Sequence, residues 1–563
     1  MKSIINGFLA VSSMLLAVSC ADYNETNNFK ADAASGYEIP YKDLDPVKSY
    51  INRDKYPNMT LGATLKVADF NKQALEHAAA VTNFDNFAFG NTLMPGTIIN
   101  EKGVMNFLSM MDLLGHVEEI GGEVFGSPIF ANANQPDGWL SMLTAPVEIK
   151  VEPVEDKYVD YTTMDEFTGT IVKDGSGKNK TAIVKNYDGD ANALKVPKRA
   201  RVYIVEGFDL DPKGNYTVTF YAQVDKDETI ICTFADSLQN TGKDSDGKLI
   251  SKKYAIKAGG WKKMNIEDLK PAENATAGYF MIEGNLNADV YIKEVKVVHN
   301  PDNHRPQTEQ EVKDTINYAI NTWCENLMKY NAGRIKSFDL IDEAIDTKTL
   351  EGTDYFDLKH SSDKIFWQDI LGSDQYAPVV SKVAAAAYEK HGGDPAALKF
   401  FISESGLDVE KKFNSLKYWM KVWEDNGAKI DGINAKLNLF YSEDAATQAE
   451  TEATLNTLLE NLAKTGKLIR LSNFDIKYKD AEGSNVSAKD ITEEQRQKLA
   501  NFYGYVLKKY METIPNENQA GICKGNMADT SDPVGLWSVN PDNKDWVRTA
   551  TYEAFCKALK GEE

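Results

Sequence analysis

The sequence is poor in the residues from which metal centres and covalent cross-links are built. Six histidines and five cysteines are spread over 563 residues, and no two cysteines form a CxxC pair. Apart from Cys20, the cysteines are Cys232, Cys324, Cys523 and Cys556, which lie far apart. That spacing gives neither a disulfide framework nor a zinc site and points to buried thiols. No metal and no cofactor is expected. Basic residues are in deficit too: 63 Lys and Arg stand against 84 Asp and Glu, a formal net charge of -21. Such a charge argues against nucleic acid or an anionic membrane surface as a partner. Long apolar runs are missing except for Ile4 to Val18, which is too short, with its flanks, for a spanning helix.

That run is the first feature present. Lys2 gives it a basic start, and it closes on Leu16-Ala17-Val18-Ser19-Cys20. Small residues before a cysteine resemble the lipobox of bacterial lipoproteins. The resemblance implies a signal peptide over 1–19, lipidation of Cys20, and anchoring in the bacterial outer membrane, at the cell surface. Residues 20–45 follow as a polar, acidic tether, with Asp22, Glu25, Asn27, Asn28 and Asp32.

The length exceeds one average domain, and the texture of the chain changes twice. Over 46–148 strands and helices alternate: Leu61–Leu65, a helix over Phe70–Ala80, a strand within Asn83–Asn91, and another within Gly122–Phe130. From 149 to 299 the pattern becomes short alternating segments divided by turn residues such as Asp174-Gly175, with strands at Thr170–Val172, Tyr216–Ala222, Tyr279–Ile282 and Val290–Val298. This is the pattern of an all-β, jelly-roll-like sandwich. From 300 to 563 the alternation resumes. Helices are expected at Glu309–Tyr330, Tyr376–His391, Val409–Asn426, Ala445–Thr465 and Thr492–Thr513. Strands are expected at Ser337–Asp342, Ala397–Ile402, Ile430–Asn438, Leu468–Ser472 and Ala520–Cys523. The fold class is therefore α/β: a (β/α)8 barrel interrupted after its third strand by a β-sandwich.

Two of these strands carry the chemistry. Phe338-Asp339-Leu340-Ile341-Asp342-Glu343-Ala344 ends in two carboxylates, and Leu468-Ile469-Arg470-Leu471-Ser472-Asn473-Phe474-Asp475 ends in an amide. Barrel enzymes work at the C-terminal ends of their strands, and glycoside hydrolysis needs two carboxylates across the scissile bond. In these runs, and in their order, the chain resembles glycoside hydrolase family 10, the endo-β-1,4-xylanases. The resemblance places Glu343 at the acid/base position, with Asp342 before it where the family has an asparagine. It places Asn473 at the nucleophile position, where the family has a glutamate.

Other positions depart in the same direction. Gly126–Asn134 matches a family run that carries two histidines and a tryptophan, all lost here. Gly90-Asn91-Thr92-Leu93-Met94 puts Met94 where a sugar-binding lysine stands, Asn438 replaces a histidine, and Gly521–Gly525 loses an aromatic residue. The resemblance implies sugar contacts at Asn91, Asn132, Asp342 and Asn438. Trp139 and Trp537 are candidate stacking platforms at the barrel mouth. Trp261 is the leading candidate in the sandwich, ahead of Tyr187, Tyr203, Phe208 and Phe234. An amide cannot form a glycosyl-enzyme, so the expected function is non-catalytic binding of xylan or a related β-glycan at the cell surface, in company with an outer-membrane glycan transporter. Two alternatives remain: an atypical endo-glycosidase in which Glu404 or Asp475 acts as a displaced base, and a purely structural partner of the membrane machinery.

Overall fold

The computed structural model describes residues 41–72, 75–189, 191–235, 249–271, 275–284, 287–540, 542 and 544–561. The expected signal peptide, Cys20 and most of the tether lie outside them. The chain divides into two units, one running to Thr144 and resuming at Thr308, the other Ala145–Gln307.

The first unit is built on eight parallel strands: β1 Leu61–Thr64, β2 Asn86–Ala88, β3 Glu123–Gly126, β4 Ser337–Asp342, β5 Lys399–Ser405, β6 Gly432–Lys436, β7 Leu468–Ser472 and β8 Gln519–Lys524. Each pairs with the next, and β1 pairs with β8, which closes the barrel. A short segment, Phe130–Ala131, extends β3 and lies beside Ile341 and Asp342 of β4. The strands are near-continuous apolar runs because both faces are covered, by the lumen and by the helices. Gly126 has a structural reason: a Cβ there would sit 2.1 Å from the Phe338 ring. The helices follow their sequence signals. Thr308 and Glu311 form a capping box at the start of Glu309–Asn331, and Thr492 with Gln495 does the same for Glu493–Thr513. The helix expected over Phe70–Ala80 is found as two, Val67–Asn71 and Leu75–Asn83.

The lumen is polar at its centre. Ser403, Asn434 and Arg470 stand in one register row across β5, β6 and β7. Their side chains therefore share a face, while Glu404, Ala435 and Leu471 in the next row share the other. Arg470 donates to Asn86 at 3.1 Å and lies 4.0 Å over the Phe125 ring. The Asn434 amide donates to both oxygens of Asp339, at 3.1 and 2.9 Å. All of these groups are buried; Asn434, Asp339, Arg470 and Asn86 have the hydrogen-bond partners that burial demands, whereas the Ser403 hydroxyl has none.

The second unit has two antiparallel sheets. One runs in the order Leu249–Ile256, Glu228–Ala235, Ala277–Gly284, Arg201–Asp209, Ile171–Lys173. The other runs Gly259–Leu269, Asn215–Val224, Val290–Asn300, Ala193–Val196, Ala182–Val184, with Val154–Asp160 also paired to Val290–Asn300. Residues from both, such as Val202, Ile230 and Phe280 on one and Val218, Phe220 and Ile292 on the other, form one apolar core. The unit begins at Ala145 and ends at Gln307 rather than at 149 and 299. Its two ends are tied, with Val147–Glu148 pairing against His304–Arg305.

Asp339 sets a pH dependence. Burial first, and then the charge of Asp342, push its pKa up to about 7. The folded state then holds a proton that the unfolded chain releases near pH 4. The resulting contribution to stability is full below about pH 4 and is lost as pH rises to about 7, at up to about 1.4 kcal/mol per pH unit. Asp339→Asn removes it. Denaturant unfolding of both proteins at pH 5, 6 and 8 should show the variant gaining on the wild type as pH rises, and a constant difference would refute the assignment.

Candidate functional site

The residues at the ends of β4 and β7 share an unusual backbone. Glu343 follows β4 with φ +50°, and Asn473 follows β7 with φ +51°. The Glu343 amide donates to the Ser403 carbonyl at 2.9 Å, so β4 stays tied to β5 while its last carboxylate turns out of the strand. Left-handed φ is strained for glutamate and tolerated by asparagine.

The carboxylates at the end of β4 are held by two lysines. Lys436, the last residue of β6, makes a short ion pair with Asp342 and lies 3.5 Å from Glu343. Lys412, in the first turn of the helix Glu410–Asp425, lies 3.7 Å from Glu343 and 3.0 Å from Glu404. The groups form a chain of alternating sign: Asp342, Lys436, Glu343, Lys412, Glu404. Burial pulls the pKa of Glu343 up, but Lys436, a hydrogen bond with Ser405, Lys412 and Lys359 together hold it below the usual glutamate value. Lys436 is pulled down by burial and pushed up by more through Asp342 and Glu343, so its ammonium is secured.

Neither proposed stand-in base is available to the cleft. Glu404 is wholly buried, in the register row that faces away from the lumen, and accepts the Ile345 amide at 2.9 Å. Burial pushes its pKa up to about 7, with Lys412 pulling down and the Glu343 charge pushing up. Asp475 is held at 2.6 Å by Lys524 and at 2.7 Å by the Asn526 amide. Lys524 is itself wholly buried and also donates to the carbonyls of Phe474 and Val534. Asp475 therefore anchors the loop after β8, and period-2 reasoning along β7 fails because the strand ends at Ser472.

The remaining candidates separate. Asn473 is exposed beyond β7, and Asn438 is exposed beyond β6, where it lines a pocket of about 320 Å³ with Lys436, Leu437 and the helix Ala445–Ala463. Asn132 follows Ala131, which lies opposite Asp342, and both atoms of its amide are buried without a hydrogen-bond partner. Asn91 lines a larger cleft of about 870 Å³ with Lys66, Asn526 and Trp546. Met94, at the expected lysine position, is buried.

Several aromatic candidates are corrected. Trp139 is only 4% exposed and packs on Gly103, where a Cβ would lie 2.5 Å from its indole nitrogen. Trp537 is 5% exposed and packs between Trp546 and Tyr552. Neither ring is exposed enough to serve as a stacking platform. Tyr203, Phe208 and Phe234 are buried in the sandwich, whereas Trp261 and Tyr187 are partly exposed.

Three residues escaped the sequence reading. Lys436 lay inside a quoted strand, but nothing local showed that it reaches across to β4. Lys412 lay inside an expected helix, and its one signal was its position in the first turn, at the end of the barrel where the β5 strand opens. Trp546 sits across a hairpin from Trp537, and only the hairpin register, Val539 against Trp546, brings it to the cleft. Among the described residues, no cluster of His, Cys, Asp and Glu is arranged to hold a metal ion.

The sequence model described as glycosyl hydrolase family 10 matches residues 299–549. No curated protein matches the chain. Among solved structures, xylanase B of Clostridium stercorarium F9 is 10% identical, with 91% of this chain and 99% of that one covered and a TM-score of 0.50. Native xylanase10C of Cellvibrio japonicus is 12% identical, with 92% and 74% covered and a TM-score of 0.50. Xylanase XynB of Paenibacillus barcinonensis, complexed with a conduramine derivative, is 8% identical, with 91% and 98% covered and the same score. At these identities the structures speak for the fold alone, and they agree with the closed eight-strand barrel found here. Residues 299–549 thus match the glycosyl hydrolase family 10 model, in a chain whose closed eight-strand barrel is the fold of these structures.

Proposed function

We propose that the barrel binds xylan or a related β-linked polysaccharide without cleaving it, as part of a lipid-anchored protein at the surface of a bacterial outer membrane, where a glycan transporter would receive what it holds. The observation that carries this reading is the Lys436–Glu343–Lys412 arrangement. A general acid must keep a proton at working pH, which calls for a raised pKa. Glu343 is pulled the other way by two lysines. On the resemblance, the second carboxylate has become Asn473, and a retaining mechanism needs a nucleophile about 5–5.5 Å from the acid. The large cleft supports binding: Asn91, Asn526 and Trp546 supply amides and an aromatic ring along about 870 Å³, room for several sugar residues.

The test is to incubate the chain from residue 21 onward with soluble xylan while following heat of binding and reducing ends together. Binding with reducing ends at the buffer baseline is expected. Sustained release of reducing ends would overturn the reading. Absence of both signals would remove xylan as the ligand.

A second outcome separates the two losses. Asn473→Glu alone should leave reducing-end release at baseline, because Glu343 stays a carboxylate between Lys436 and Lys412. A single substitution that restored release by the roughly hundredfold or more typical of acid catalysis would show that the lysines do not disable Glu343.

A further inference from the structure

The sandwich lies almost entirely outside the family match at 299–549, and one sheet face carries groups that its core does not use. Along Asn215–Val224 the buried residues are Tyr216, Val218, Phe220, Ala222 and Val224. Gln223 points to the opposite face. On the neighbouring strand Tyr291 stands between the core residues Val290 and Ile292, directly opposite Gln223. Trp261, from the strand on the other side, shares this outer face. Tyr187, from the turn Tyr187–Gly189, stacks on Tyr291 with ring centroids 4.0 Å apart and meets Trp261 edge-on at 5.8 Å and 77°. The Lys293 ammonium lies 4.6 Å from the Trp261 ring centroid. At the base of the cluster, the Gln223 carbonyl oxygen is buried with no hydrogen-bond partner.

An outward sheet face of this kind is ordinarily polar. Three partly exposed rings around an unmet acceptor, with a cation beside them, form an exception that the fold does not require. Their chemistry is complementary to a pyranose. The C–H face of the sugar stacks on an aromatic ring, an equatorial hydroxyl donates to the waiting carbonyl, and an ammonium donates to ring or hydroxyl oxygens.

We infer that Tyr187, Trp261 and Tyr291, with Gln223 at their base and Lys293 at their side, form a glycan-binding platform that holds pyranose residues of a β-linked chain. The inference shares with the proposed function only its class of ligand. It names a different site, on the sandwich, and does not depend on what the barrel cleft binds.

The chain from residue 21 onward, titrated calorimetrically with xylohexaose and with cellohexaose, decides the matter when compared with Trp261→Ala, Gln223→Ala, Tyr187→Ala and the cleft variant Trp546→Ala. Far-UV circular dichroism and melting temperature serve as fold controls. Trp261→Ala and Tyr187→Ala should weaken one binding component about tenfold, and Gln223→Ala should weaken the same component. That component should survive Trp546→Ala. Tyr187 lies on a turn outside the sheet, so its variant carries the test should Trp261→Ala fail to fold. Wild-type affinity in all three sandwich variants would overturn the platform, as would a wild-type chain that binds neither oligosaccharide. Loss confined to Trp546→Ala would overturn it while leaving the cleft reading intact. Loss confined to the sandwich variants would uphold it and count against the cleft.

Discussion

The rim of the barrel depends on one line of charges, Asp342–Lys436–Glu343–Lys412–Glu404. No two consecutive members come from the same strand or helix. Asp342 closes β4 and Glu343 follows it, Lys436 closes β6, Glu404 belongs to β5, and Lys412 opens the helix after β5. The line can form only when β4, β5 and β6 keep their register, Asp342 beside Ser403 and Ser405 beside Lys436. Deleting either lysine leaves a poorly solvated carboxylate without its counter-charge, Asp342 for Lys436 and Glu404 for Lys412, which costs up to several kcal/mol in comparable buried pairs. The lumen below follows the same rule, with Asp339 answered by Asn434, and Arg470 answered by Asn86 and the face of Phe125.

The two glutamates on that line have opposite electrostatics, and the contrast governs what the site can do. Glu404 is buried on the outer side of β5, with a pKa raised to about 7, the value a general acid needs. It faces away from the lumen and is fixed by a backbone amide and a lysine. Glu343 occupies the end of the strand, where a substrate would be met, and there the field of two lysines favours the charged form. The barrel thus has a buried carboxyl whose pKa is raised to about 7 and a carboxylate held low at the mouth, but they are different residues. On the proposed reading this division is what turns a hydrolase scaffold into a binding body.

The barrel was legible because its signals are local. Apolar runs such as Leu468–Leu471, capped helices such as Thr308–Asn331, and polar residues at strand ends each need only a few neighbouring positions to be recognised. The order of eight such units, and the change of period at the insertion, then gave the architecture. Glu343 and Asn473 were legible for the same reason, as the residues that terminate strands. The misread residues are those whose role depends on another part of the chain. Trp139 looked like a platform until Gly103, on a separate loop, was seen to lie against it. Trp537 and Trp546 are chemically alike, and only the register of a hairpin decides which ring is buried. Lys436 is one lysine among many until β6 is set two strands from β4. Asp475 looked like a spare carboxylate because nothing in its own strand announces Lys524.

The backbone at the two strand ends explains why an amide and a carboxylate persist in equivalent conformations. Both Glu343 and Asn473 adopt left-handed φ, which costs a residue with a Cβ roughly 1–2 kcal/mol, less for asparagine. At Glu343 that strain is offset by the amide bond to Ser403 and by the two lysines, so the glutamate is held in place by its surroundings. At Asn473 the residue itself lowers the strain. Its carbonyl accepts from the Asp475 amide at 2.7 Å, closing a tight turn that leads into the Lys524 anchor. A glutamate at 473 would reintroduce the strain and add a charge to that turn. Strained, charged residues survive at a catalytic site because function requires them. On the proposed reading, in which no reaction is made, the same turn is more stable with an asparagine at 473 than with a glutamate.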